Sequence, residues 1–167
     1  MNLPKPAMIT RRRLLGISLG ALLLGNSDHP VAAAEAFEVT RTDAAWRQLL
    51  SLDQYAVLRE KATEPPESSP LNAENRPGLY ACAGCALPLF SSMTKYDSGE
   101  GWPSFWAPLP HAVATREDHS YGNNRTEVLC RRCGGHLGHV FPDGPKPTGL
   151  RYCMNGTAMK FTPCAGI

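Results

Sequence analysis

Four cysteines in two matched pairs, Cys82-Ala83-Gly84-Cys85 and Cys130-Arg131-Arg132-Cys133, constrain this chain more than any other feature. Two intervening residues let one tight turn aim both sulfurs at a single point, and two such pairs complete a tetrahedral shell. Four thiolates leave no open position for a substrate, so the spacing points to one structural zinc ion. The fold must then bring two turns, 44 residues apart, to one place. Gly84, Gly134 and Gly135 are expected to relieve the backbone where amides crowd towards sulfur. Other readings use the same residues. Disulfides across a two-residue gap are strained and suit redox motifs better than scaffolds, and His136, three residues after Cys133, offers an imidazole in place of one thiolate.

Glycine and proline contribute 15 residues each to a chain of 167, which favours a small, turn-dense, strand-rich domain over a helical one. A short helix is expected from Thr42, a capping residue, with Trp46, Leu49 and Leu50 recurring along it. Ser51 and Gln54 have the spacing of a capping box, and Tyr55 and Leu58 carry a second helix to about Glu60. Pro65, Pro66 and Pro70 force an extended connection. Beyond residue 77 the apolar runs at 78–82, 88–90 and 126–130 read as strands, while 101–103 and 142–145 read as loops.

Residues 1–34 read as an export signal. Lys5 and Arg11 to Arg13 form a basic head, Leu14 to Leu24 an apolar run too short to span a bilayer, and Ala32 to Ala34 a small-residue cleavage site. Thr10-Arg11-Arg12-Arg13-Leu14-Leu15 resembles a twin-arginine signal, with a general secretory signal as the alternative. An exported, periplasmic protein without a permanent membrane anchor is expected. After residue 34 there remain 13 of the 17 basic and 14 of the 15 acidic residues, so nothing basic in bulk is left to grip a nucleic acid.

Two cysteines fall outside the pairs. Alternation in Leu150-Arg151-Tyr152-Cys153-Met154-Asn155 puts Arg151, Cys153 and Asn155 on one strand face, unlike the setting of a core cysteine, although a buried small hydrophobe is the usual fate of a free thiol. In His136-Leu137-Gly138-His139-Val140-Phe141, a strand with a glycine break lets one ring face Cys153, where imidazole helps form a thiolate. Taken singly, these histidines fit a structural role as well.

Together these segments, with Thr63-Glu64-Pro65-Pro66, Lys95-Tyr96-Asp97-Ser98-Gly99, Gly101-Trp102-Pro103-Ser104-Phe105 and Pro142-Asp143-Gly144, resemble the B-type peptide methionine sulfoxide reductases from about Thr42 to Phe161. The resemblance implies a mainly β domain over residues 42–164, with two antiparallel sheets in a tent-like arrangement, short helices at its start and zinc away from the reaction centre. It implies Cys153 as nucleophile, His139 as acid or proton relay, and His136 and Asn155 ordering water and the sulfoxide oxygen. Trp102 is implied to receive the substrate methyl group, with Phe141 and Arg151 in matching motifs. The implied reaction reduces methionine-R-sulfoxide in oxidised proteins through a sulfenic acid, recycled by a thioredoxin-like reductant, and a monomer is expected.

Two positions depart from the family. Glu100 stands where many members carry a resolving cysteine, which leaves an external thiol or Cys164, near the C-terminus, to resolve the sulfenic acid. Gly156 replaces the usual serine after Asn155, with modest consequences expected. The rival functions are a non-enzymatic zinc module and a general disulfide exchanger built on the two pairs.

Overall fold

The structure, a computed structural model, describes residues 37–122 and 124–164. The chain divides into Met1–Ala34 and Glu35–Ile167, and the export signal expected at residues 1–34 lies outside the described residues. No helix among the described residues is long and apolar enough to cross a membrane.

Helix α1 (Asp43–Leu49) begins at Thr42, whose side-chain oxygen accepts the Ala45 N–H at 3.2 Å. Helix α2 (Leu52–Glu60) begins with the expected capping box: the Gln54 N–H donates to Ser51 Oγ and the Ser51 N–H to Gln54 Oε1. Trp46, Leu50, Tyr55 and Leu58 are buried, but Leu49 is 51% exposed, because α1 ends there and the chain turns into α2.

Nine strands follow among the described residues: β1 (Gly78–Cys82), β2 (Pro88–Ser91), β3 (Lys95–Tyr96), β4 (Ser104–Phe105), β5 (Val113–Asp118), β6 (Arg125–Cys130), β7 (His136–Phe141), β8 (Arg151–Met154) and β9 (Met159–Pro163). They form two antiparallel sheets, ordered β2-β1-β9 and β3-β4-β8-β7-β6-β5. The mainly β architecture with two short helices is thus as expected. The sequence reading missed β5, whose face is polar, β9, and the two-residue strands β3 and β4, which carry no periodicity. Aromatic rings join the sheets: Phe90 of β2 stacks on Phe105 of β4 with centroids 4.4 Å apart, and Tyr80 of β1 meets Phe105 edge-on at 5.0 Å.

The cysteine pairs occupy the turns of the β1–β2 and β6–β7 hairpins, one from each sheet. Their backbones are near copies. The Cys82 carbonyl accepts Ala86 N–H and the Cys130 carbonyl accepts Gly134 N–H, both at 2.8 Å, while the Cys82 and Cys130 N–H groups reach Leu87 and Gly135 carbonyls. Left-handed backbone falls on Gly134 (φ 67) and, in the other turn, on Ala86 (φ 59). Gly135 serves a different purpose from the one expected of it: a Cβ there would sit 2.9 Å from Leu58, so it lets α2 close over the turn, whereas one on Gly84 would make only ordinary contact with Trp46 at 3.4 Å.

One irregularity positions the catalytic candidates. Between β6 and β7, Val128 pairs with Gly138 but Leu129 pairs with His136, which leaves Leu137 as an inserted residue. Strict alternation would send His136 and His139 to opposite faces; the bulge restores both to one face. Gly138 (φ 154) permits it, since a Cβ there would lie 2.1 Å from the Cys153 carbonyl oxygen.

Candidate active site

Cys82, Cys85, Cys130 and Cys133 place their sulfurs within 4.8 Å of one another, with Cys82 and Cys133 at 3.7 Å and Cys85 and Cys130 at 3.4 Å. Thiolates about 2.3 Å from a tetrahedral ion have sulfurs about 3.8 Å apart, so the cluster fits a metal ion. Arg132 Nη1 crosses to the Cys85 carbonyl and Arg59 Nη1 to that of Cys133, locking the turns together. His136 is not in the cluster; its ring turns to Glu127 instead. The candidate metal-ligand set is therefore all sulfur.

Cys153 lies elsewhere, in β8 of the larger sheet. A single rung crosses all six strands there: Tyr96, Ser104, Cys153, His139, Glu127 and Arg116 are successive cross-strand partners. His139 is directly opposite the thiol. A cleft of about 150 Å³ opens over this rung, walled by Trp102, His139, Phe141, Cys153 and Asn155. Five of the residues expected at the site thus line one small, largely apolar cleft.

Electrostatics refines the expectation for the thiol. Burial pushes Cys153 up, Arg151 opposes that, and the Glu100 charge adds to it, while Ser104 favours the thiolate. Imidazole does not hold the thiol in the resting protein. Nε2 of His139 bonds Asp118 Oδ2 at 2.7 Å, on the side away from β8. Burial pushes the His139 ring down, against the pull of Asp118. His136 is 3% exposed, its Nδ1 2.7 Å from Glu127 Oε1, and its ring meets that of His139 edge-on at 5.4 Å. Glu127 is buried as deeply and also receives Lys61 Nζ at 3.0 Å and Arg116 Nε at 2.6 Å. Burial would raise its carboxyl, yet the bonds from His136, Arg116 and Lys61 bring it down to about 2.

The walls are fixed by Glu64, which the sequence reading quoted in a motif without giving it a role. Its N–H donates to Asn155 Oδ1 at 3.0 Å and its carbonyl accepts the Trp102 indole N–H at 3.1 Å. Its buried carboxylate accepts the N–H groups of Gly156 and Thr157, so one residue ties both walls and the turn after β8. Asn155 Nδ2 donates to the Leu137 carbonyl, at the bulge. Arg151 is held by Asp143 in a two-point ion pair at 2.9 and 2.8 Å and lies 4.5 Å over the Phe141 ring.

Two remaining positions fall outside the cleft. Cys164 is exposed at the end of β9 on the smaller sheet, its N–H bonded to the Pro77 carbonyl. Gly156 is buried, and a Cβ there would meet Ser69 Oγ at 1.9 Å, so a serine at this position requires Ser69 to shift. Asp118 and Glu127 were not recognised from the sequence. The available signal was the acid inside the apolar run leading to Cys130: alternation aligns Glu127 with Leu129, on a face a solvated strand would keep for neutral residues.

The chain is similar to known proteins. The SelR domain model matches residues 50–163. The peptide methionine sulfoxide reductase MsrB of Agrobacterium fabrum is 54% identical over 127 residues, spanning 75% of this chain and 94% of that protein. Its namesake from Bradyrhizobium diazoefficiens is 56% identical over 127 residues, spanning 75% and 91%. That of Leptospira interrogans is 51% identical over 126 residues, spanning 75% and 96%. With the thiol, imidazoles and four-cysteine cluster in place, the chain belongs to the MsrB family of peptide methionine sulfoxide reductases and is a methionine sulfoxide reductase.

Proposed function

We propose that this enzyme reduces the R epimer of methionine sulfoxide in oxidised proteins, with Cys153 as the nucleophile. The observation that carries this reading is the rung that sets Cys153 opposite His139 under a cleft walled by Trp102. The thiolate attacks the sulfoxide sulfur while the oxygen gains a proton from His139, directly or through water ordered by His136 and Asn155. The attack forms a bond from Sγ to the sulfoxide sulfur; that bond and the sulfur–oxygen bond then break as the oxygen passes with its proton to Sγ, so methionine leaves reduced and Cys153 is left as a sulfenic acid. The apolar face of Trp102 suits the substrate methyl group, and Phe141, with Arg151 over its ring, forms another part of the wall.

Two thiols of a thioredoxin-like donor then return Cys153 to the thiol, releasing water and a donor disulfide. Glu100 in place of a resolving cysteine favours direct attack by the donor. Cys164, exposed at the end of β9, is the alternative resolving thiol. Zinc suits the four-thiolate shell, where it ties the two hairpin turns without touching substrate. The basic head, apolar run and small-residue site in residues 1–34 favour twin-arginine export and repair of periplasmic proteins.

One equivalent of methionine-R-sulfoxide, added without reductant and followed by thiol counting, tests the resolution step. A sulfenic acid that persists on Cys153 supports direct attack by the donor, whereas a Cys153–Cys164 disulfide transfers the role to the tail. The S epimer left unreduced is the companion expectation.

A further inference from the structure

His139, opposite Cys153, and His136, whose ring meets it edge-on, are gripped through opposite nitrogens. Asp118 Oδ2 lies 2.7 Å from Nε2 of His139, and Glu127 Oε1 lies 2.7 Å from Nδ1 of His136. An ionised carboxylate only accepts, so the nitrogen facing it carries the proton. Both acids are held ionised by their surroundings. Asp118 is held well below the usual carboxylate range by His139, Ser120 and Arg125, and Glu127 at about 2 as described above.

We infer that Asp118 and Glu127 are positioning residues that set opposite tautomers on the two histidines, leaving Nδ1 of His139 to serve the cleft and Nε2 of His136 bare behind it. The second nitrogen is buried without a hydrogen-bond partner, in keeping with a bare acceptor waiting for a proton or water. The surroundings also separate the two rings by charge. Glu127 is already countered by Lys61 and Arg116. His139 faces Asp118 on β5, Arg125 on β6, His136 on β7 and the Cys153 thiol opposite on β8. Of these groups only Asp118 pulls His139 towards the charged form, against burial, Arg125 and His136. The functional part of this inference rests on the proposed role of His139 as the proton donor.

Two-bond proton–nitrogen spectra of the full protein labelled with ¹⁵N-histidine, recorded where both rings are neutral, read the tautomers without any turnover. His139 is expected as the Nε2–H form and His136 as the Nδ1–H form; the reverse pattern on either ring overturns the inference. Asp118→Asn is expected to mix the His139 tautomers and lower kcat roughly 100-fold, the low end of what a placed proton donor contributes. KM should change little. Loss of the anion disfavours the imidazolium, so the alkaline limb of the pH profile moves to lower pH, and Asp118→Glu restores part of the rate. An Asp118→Asn enzyme with the kcat and pH profile of the unaltered protein contradicts the positioning role. His139→Gln with full kcat would instead refute the proton-donor reading, and the tautomer spectra would still stand or fall by themselves. Should Asp118→Asn fail to fold, the spectra of the unaltered protein decide.

Discussion

The four-cysteine cluster and the Cys153 cleft put the same side chain to opposite uses, and both depend on the β6–β7 hairpin. In the cluster, paired turns aim four sulfurs at one point, and each sulfur is spent on its neighbours or on an ion. In the cleft, a single thiol stands on a strand and meets an imidazole across the sheet, with space above it for a substrate. A turn converges side chains; a strand spaces them and leaves one face open. The hairpin carries one of the paired-cysteine turns at one end and, just beyond it, a bulge that puts His136 and His139 on one face, with His139 opposite Cys153. The cluster therefore holds the frame on which the cleft is built.

The strongest way to break this comparison is to exchange the roles. Cys153→Ser should abolish turnover while metal content and Tm stay as they were. Cys130→Ser should release the metal and cost several kcal/mol, a fraction of the roughly 10–16 kcal/mol that a complete shell gives small zinc modules. Atomic absorption and thermal melts read both. Turnover surviving Cys153→Ser would sink the assignment of the nucleophile.

Next in size is the bulge. Gly138→Ala drives a Cβ to within 2.1 Å of the Cys153 carbonyl and should cost about 2–3 kcal/mol along with most of the activity. Gly84→Ala meets Trp46 only at 3.4 Å and should cost well under that. Denaturant titration ranks the two, and an equal cost would show that the bulge is not the tighter constraint.

Acid sharpens the contrast further. The Glu127 carboxyl is lowered from 4.5 to about 2 in the folded protein, so its contribution is complete above about 4.5 and is lost as pH falls towards 2. Unfolding monitored over that window should show Glu127→Gln with a flatter pH dependence than the unaltered protein. The smallest effect is expected at Glu100. Removing its charge with Glu100→Gln lowers the Cys153 thiol and should speed iodoacetamide alkylation at neutral pH by about 2-fold, whereas Arg151→Met should slow it.

Much of the frame was legible in the sequence because it is written in local signals. Thr42 and Ser51 cap helices through bonds to residues three positions on, and the cysteine spacing encodes a turn. Alternation put Arg151 and Cys153 on one strand face, and the family resemblance supplied their roles. What escaped was set by register between distant strands. Asp118 lies 21 residues from His139 and meets it only because β5, β6 and β7 are adjacent, and Glu64 reaches Gly156 from 92 positions away. The bulge at Leu137 hid the pairing of His136 with His139, since a three-residue spacing along a strand implies opposite faces. Glycines misled in the other direction: the left-handed position in the first turn holds Ala86, while Gly135 answers to the bulk of Leu58.

The separation of the two cysteine populations is tested most directly by one turnover in the absence of donor. The protein is given a single equivalent of methionine-R-sulfoxide, trapped with a sulfenic-acid reagent, and mapped by mass spectrometry while its metal is measured. Modification at Cys153 with full retention of the metal is the expected result. Oxidation at Cys82, Cys85, Cys130 or Cys133, or metal released in step with methionine formed, would contradict the account.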